Sequence, residues 1–236
     1  MDKGLRITVD GPAGAGKSTA AKAIAKRLGY LYIDTGAMYR ALTLKAVHQS
    51  VDLSDEEALD RLAAGTDVRL ARPTRPGGPY RVILDGEDVT EAIRSPQVNA
   101  AVSQVARVPG VRAGMVDRQR EMAGDGRVVM DGRDTGTNVL PDAEIKFYLT
   151  ASFDTRVDRR YQEQRRRGFE VDREAVARDI AQRDEIDSHR AVSPLRKAPG
   201  AIEVDSTALT IDQMVEEMLE ICRRAADDQG PASGAR

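Results

Sequence analysis

The chain has 236 residues, with 36 Lys+Arg against 38 Asp+Glu and a formal net charge of −2. At 41% hydrophobic and 31% charged it reads as a globular chain, long enough for one elaborated domain or two small ones. The balanced charge argues against a general nucleic-acid binder or a membrane-surface binder, and the single cysteine, Cys222, excludes an internal disulfide framework and a multi-cysteine zinc site.

No apolar run reaches the roughly 18 residues that span a bilayer. Met1-Asp2-Lys3-Gly4 leads straight into a strand pattern, without the features of a leader segment. A cytoplasmic enzyme or switch is the expected class.

Residues 5–9 (LRITV) form a β-branched run ending at Asp10-Gly11, and read as a buried strand. A glycine-rich turn follows. Residues 18–28 then have helical composition, closed by Gly29 at the C-cap position. Residues 30–33 read as a second strand and 37–48 as a helix, with Thr35 as a candidate cap. This strand–helix–strand–helix opening is the pattern of a parallel sheet covered by helices.

The rhythm then breaks. Residues 68–70 and 80–84 alternate like strands of an antiparallel ribbon, joined by a Pro/Gly-rich turn at 72–79, with a third strand at 87–89. Helices are expected near 96–106 and 109–123, and buried strands at 127–130 and 145–149. An arginine-rich helical region fills 154–190, interrupted at Gly168-Phe169. A short strand at 201–204 and a helix at 211–226 close the fold, and the tail 227–236 reads as disordered. The fold class is α/β: a parallel five-stranded sheet flanked by helices, with an inserted antiparallel element and a helical lid.

The strongest chemical signal is Gly11-Pro12-Ala13-Gly14-Ala15-Gly16-Lys17-Ser18, followed by Thr19. Its glycines let backbone N–H groups converge on phosphate oxygens, and the following helix N-terminus adds a positive dipole end. Lys17 suits the outer phosphates, and the Ser18 hydroxyl suits the Mg²⁺ that bridges them. The loop predicts binding of a nucleoside triphosphate without saying where the phosphoryl group goes.

Two further segments end strands at the same sheet edge. Thr35, Tyr39 and Arg40 follow the second strand. Asp131-Gly132-Arg133-Asp134 follows the strand at 127–130. Asp131 is a candidate metal holder through water, Arg133 offers a planar fork for phosphate, and Asp134 can accept from an exocyclic amine. Ser103 and Arg112 lie on the helices before that strand; residue type alone does not prefer Arg112 over Arg107 or Arg118. In the arginine-rich region, 153–197 holds 12 Lys+Arg and 10 Asp+Glu. That mixture describes either a solvated helix face or a lid that supplies arginines to a triphosphate.

Taken together, ITVDGPAGAGKST, DTGAMYRA, SQVARVPGVR, VVMDGRDTGT and RDEIDSHRAVSPL resemble bacterial cytidylate kinase, within the P-loop nucleoside monophosphate kinases. The resemblance implies phosphoryl transfer from ATP, with Mg²⁺, to CMP or dCMP. The loop 11–19 would bind ATP, and Lys17, Arg133 and Arg40 would be catalytic. Thr35, Tyr39, Arg40, Ser103, Arg112, Arg133, Asp134, Arg183, Asp187 and Arg190 would bind the acceptor. Arg156, Arg159 and Arg160 are carried to the lid, and Ser18 and Asp131 to the metal. It further implies a core of about 1–35, 127–153 and 191–226, a monophosphate-binding region of 36–126, a lid of 154–190 and a cytoplasmic monomer. With no Trp in the chain, base selection is expected to rest on hydrogen bonds from Arg112, Ser103 and Asp134 more than on stacking. A kinase with another small acceptor and a GTP-dependent switch are the rivals; no NKxD-like segment supports the switch.

Overall fold

Five short apolar runs become one sheet in the computed structural model, which describes residues 4–71, 80–124 and 126–228. The strands are β1 (Arg6–Asp10), β2 (Leu31–Asp34), β6 (Val128–Asp131), β7 (Ile145–Thr150) and β8 (Ile202–Asp205), in the order β2-β6-β1-β7-β8. β1 pairs in parallel with β6 and β7, and β7 with β8. β6 is buried on both faces and β1 nearly so, which is why they read as continuous apolar runs rather than alternating ones.

The chain divides into two compact units. Met1–Ile33, Ala123–Asp184 and Leu195–Arg236 form one; Asp34–Met122 and Glu185–Pro194 form the other. In the first, α1 (Lys17–Leu28) packs on β6 and on the C-terminal helix α8 (Ile211–Asp228). Gly29 ends α1 in a left-handed conformation, φ 68°, that a Cβ would disfavour. The arginine-rich region is α6 (Phe153–Arg166) followed by α7 (Arg173–His189), interrupted where the sequence predicts. Val157, Val176 and Ile180 form its small core.

The second unit is built round α2 (Thr35–His48), whose residues are buried on most faces: Met38, Leu42, Leu44 and Ala46 all lie inside. A helix enclosed on most sides has no polar stripe, which explains its weak apolar periodicity. Asp34, not Thr35, caps it by accepting from the Ala37 N–H, so Thr35 is displaced into the first turn. The antiparallel ribbon forms as β3 (Val68–Ala71), β4 (Arg81–Leu84) and β5 (Glu87–Asp88). The expected turn at 72–79 lies outside the described residues. The sequence reading assigns no element to 49–65, where α3 (Glu56–Ala64) forms under an Asp55 cap. α4 (Pro96–Ala106) and α5 (Pro109–Ala123) match expectation, with Ser95 capping α4. The tail 229–236 lies outside the described residues, and α8 runs two residues beyond its expected end at 226.

Candidate active site

In the first unit, Gly11 leaves the end of β1 at φ 145°, where a Cβ would run into the Leu149 carbonyl oxygen. Gly14 and Gly16 are also left-handed, at φ 79° and 95°. The loop therefore takes a path that only glycines allow at these points. Lys17 opens α1 and is only 6% exposed; its Nζ donates to the Pro12 carbonyl at 2.7 Å, back across the loop. Burial pulls its ammonium well below the ordinary lysine value. Nearby Arg133 pulls it further down, while Asp131 and Asp10 oppose both effects. Arg183 is close enough to add to the downward push.

Next to Lys17, the Ser18 hydroxyl donates to Asp131 Oδ2 at 2.7 Å, and the Tyr32 hydroxyl donates to Asp131 Oδ1 at 2.7 Å. Ser18 and Asp131 thus place two oxygens side by side at the loop. Thr19 lies exposed in the first turn of α1.

The turn after β6 is held from β1. Gly132 N–H donates to the Val9 carbonyl at 3.1 Å. Asp10, 2% exposed, accepts from the Thr135 N–H at 2.9 Å, the Thr135 hydroxyl at 2.8 Å and the Gly136 N–H at 2.7 Å. Burial pushes the Asp10 carboxyl above its ordinary value, and these three bonds pull against it. Arg133 donates to the Gly132 carbonyl at 3.2 Å, and Asp134 accepts from Asn138 Nδ2 at 3.3 Å. The five-residue π-helical turn Thr135–Val139 follows.

Of the three arginines expected on a lid, two hold backbone of the glycine loop. Arg156 donates to the Ala13 carbonyl at 3.1 Å and pairs with Asp184, whose other oxygen accepts from the Ala13 N–H at 3.4 Å. Arg159 donates to the Ser206 carbonyl at 2.6 Å and to Ala15 O at 3.4 Å. Arg160 instead pairs with Glu163 on its own helix at 2.8 Å.

In the second unit, Tyr39 and Arg112 meet, with the guanidinium 5.4 Å from the ring centroid. Arg112 is 2% exposed and donates to the Ala106 carbonyl at 3.0 Å. The Ser103 hydroxyl donates to Asp187 Oδ1 at 3.2 Å, and both residues are buried. Arg40 donates to Asn99 Oδ1 at 3.3 Å; Asn99 is itself fixed by donating to the Arg94 and Ser95 carbonyls at 2.9 Å each. Arg190 donates to the Ser193 carbonyl at 2.6 Å, and Thr35 is buried in the first turn of α2.

Asp10, Tyr32, Asn99 and Asp184 join these networks without having been singled out from the sequence. Only Asp10 carried a signal: a carboxylate ending a strand that is otherwise buried demands donors.

The family model for cytidylate kinase matches residues 7–224. The chain belongs to the cytidylate kinase family. A cytidylate kinase from Pelotomaculum thermopropionicum is 55% identical over 216 residues, covering 92% of this chain and 95% of its own. A second, from Bacillus subtilis, is 50% identical over 220 residues, covering 93% and 97%. The solved shikimate kinase from Acinetobacter baumannii, in complex with shikimate, aligns at 13% identity with a TM-score of 0.47, covering 94% of this chain and 95% of that one. The span of the cytidylate kinase model includes every site residue described above in both units.

Proposed function

We infer that this protein transfers the γ-phosphoryl group of ATP to CMP or dCMP, giving ADP and CDP or dCDP. The observation that carries this reading is membership of the cytidylate kinase family across 7–224. The buried Lys17 beside the glycine loop supports it chemically.

The acceptor is a phosphate monoester, already ionised at neutral pH, so no general base is needed. Its oxygen attacks the γ-phosphorus in line, forming the new P–O bond as the bond to the β-phosphate oxygen of ATP breaks. Loop residues Gly11 to Thr19 bind the donor, and Lys17 offsets charge on the transferring group. Arg133 and Arg40 counter the repulsion between two anions. Ser18 and Asp131 fit a hydrated Mg²⁺, which takes oxygen ligands and keeps several waters. Ser18 would bind it directly and Asp131 through water, and bound there it would neutralise charge on the β- and γ-phosphates.

By the family's motifs, Thr35, Tyr39, Arg40, Ser103, Arg112, Arg133, Asp134, Arg183, Asp187 and Arg190 bind the acceptor. Ser103, Arg112 and Asp134 read the cytosine edge. Asp187 and Arg183 take the sugar hydroxyls. We read 154–190 as a lid over the triphosphate, supported by its arginine content and by the hold of Arg156 and Arg159 on loop carbonyls. The family also supports a monomer acting in the cytoplasm. No helix among the described residues is long and apolar enough to cross a membrane.

A coupled assay of ADP release with CMP, dCMP, UMP, AMP or no acceptor tests the reading. Turnover is expected to be fastest with CMP or dCMP and near background without acceptor. Acceptor-independent hydrolysis as the main activity, or a preference for AMP, would overturn it.

A further inference from the structure

The residues assigned to the acceptor after β6, Arg133 and Asp134, sit between two fixed points. On one side the Gly132 N–H is bound to the Val9 carbonyl. On the other, Thr135 and Gly136 give all three of their donors to the Asp10 carboxylate. Both anchors are consecutive residues of β1, separated from the turn by more than a hundred positions of chain. The turn also closes on Asp134, whose carboxylate accepts from Asn138 Nδ2 at 3.3 Å and whose carbonyl accepts from the Asn138 N–H at 2.9 Å, so Asp134 moves with the turn that Asp10 clamps. A Cβ on Gly136 would lie 2.8 Å from Thr8 Oγ1 and 3.4 Å from Asp10 Oδ2, so there is no slack for the turn to settle closer.

From this we propose that Asp10 is a positioning residue for acceptor recognition: it aims Arg133 and Asp134 by clamping the two residues that follow them. The inference rests on the reading of Arg133 and Asp134 as acceptor-binding groups. Asp10 itself is buried, with both carboxylate oxygens taken up by the turn. It is followed directly by Gly11, so one strand end fixes both the donor loop and the acceptor turn.

The test uses Asp10→Asn, which keeps the side-chain volume but turns one acceptor oxygen into an NH₂ that faces another donor. Thr135→Val removes only the hydroxyl bond, and Thr135→Ser retains it. In full-length enzyme, Asp10→Asn is expected to raise the KM for CMP about 10-fold or more while the KM for ATP moves less than about threefold. Thr135→Val should shift the KM for CMP in the same direction by less, and Thr135→Ser should restore it.

Adding Asp10→Asn to the Arg133→Ala/Asp134→Ala double variant should worsen the KM for CMP by less than about twofold, because both groups being aimed are already gone. Multiplicative effects in that triple variant, equal rises in KM for both substrates in Asp10→Asn, or no change in either would each overturn the proposal. If Asp10→Asn does not fold, the Thr135 pair decides alone, and equal behaviour of Val and Ser overturns it. The underlying reading fails separately, when Arg133→Ala and Asp134→Ala leave the KM for CMP unchanged. In that case no turn-mediated effect of Asp10 can exist and the proposal falls with it.

Discussion

On the proposed reading, Lys17 is a residue that sets stability against chemistry. Its charge is buried beside Arg133, and burial is the larger reason its ammonium is disfavoured. Its folded value lies below the unfolded 10.5, so between the two the unfolded chain binds the extra proton and stability rises with pH. At neutral pH any charge on Lys17 therefore works against the fold, and a triphosphate is what would make that charge favourable. Lys17→Met is expected to lower kcat by about 10²–10³, the range for losing one electrostatic stabiliser. Its Tm should equal or exceed that of the wild type. Steady-state kinetics and calorimetry check both; near-native turnover would remove Lys17 from the mechanism. At this scale the sequence was legible where chemistry dictates spacing, as in the glycine loop, and silent where burial decides. Arg107, Arg112 and Arg118 look alike as letters. The fold exposes Arg107, half-buries Arg118 and encloses Arg112 against Tyr39 and the Ala106 carbonyl. The cap of α2 was misplaced by one residue because Asp34 and Thr35 are both good caps.

The ribbon β3-β4-β5 is held by an internal polar network as well as by its apolar face. Asp88 accepts from the Thr90 hydroxyl at 2.6 Å and from Arg81 at 2.6 Å, and Thr90 Oγ1 accepts from the Val82 N–H at 2.9 Å. The Thr90 hydroxyl first, and Arg81 next, hold the Asp88 carboxyl at about 2 against an ordinary 3.8. A folded value below the unfolded one means that this contribution is complete above the ordinary value and is lost as pH falls through it towards about 2. A carboxyl NMR titration should place Asp88 near that low value, and Thr90→Val should move it up towards the ordinary one. An unshifted Asp88 in the wild type would contradict the network. Strands in this ribbon were legible because one face alternates: Val68, Val82 and Leu84 point inward. α3 was not, since only Leu59 and Ala63 of its nine residues are buried and a short charged segment resembles a loop.

For the whole molecule, α8 lays Met214, Val215, Met218, Leu219 and Cys222 inside, and it packs against α1. Burial pushes the Cys222 thiol up to about 12. The thiolate is the reactive form, so native protein at pH 8 should resist alkylation by iodoacetamide while denatured protein reacts fully. Rapid native labelling, read by mass spectrometry, would mean that α8 opens readily. The order of strands has a consequence for synthesis on the ribosome. β1 is made early, yet its partners β6 and β7 lie far downstream: Arg6 pairs with Val128 and Ile7 with Ile145. The long stretch Asp34–Met122, by contrast, is continuous and carries most of its unit's core. Loop closure over such separations is slow and local contacts form first. The newborn strand that will carry the glycine loop must therefore wait, unpaired, while the segment after it collapses, and the sheet zips only once β6 and β7 have emerged.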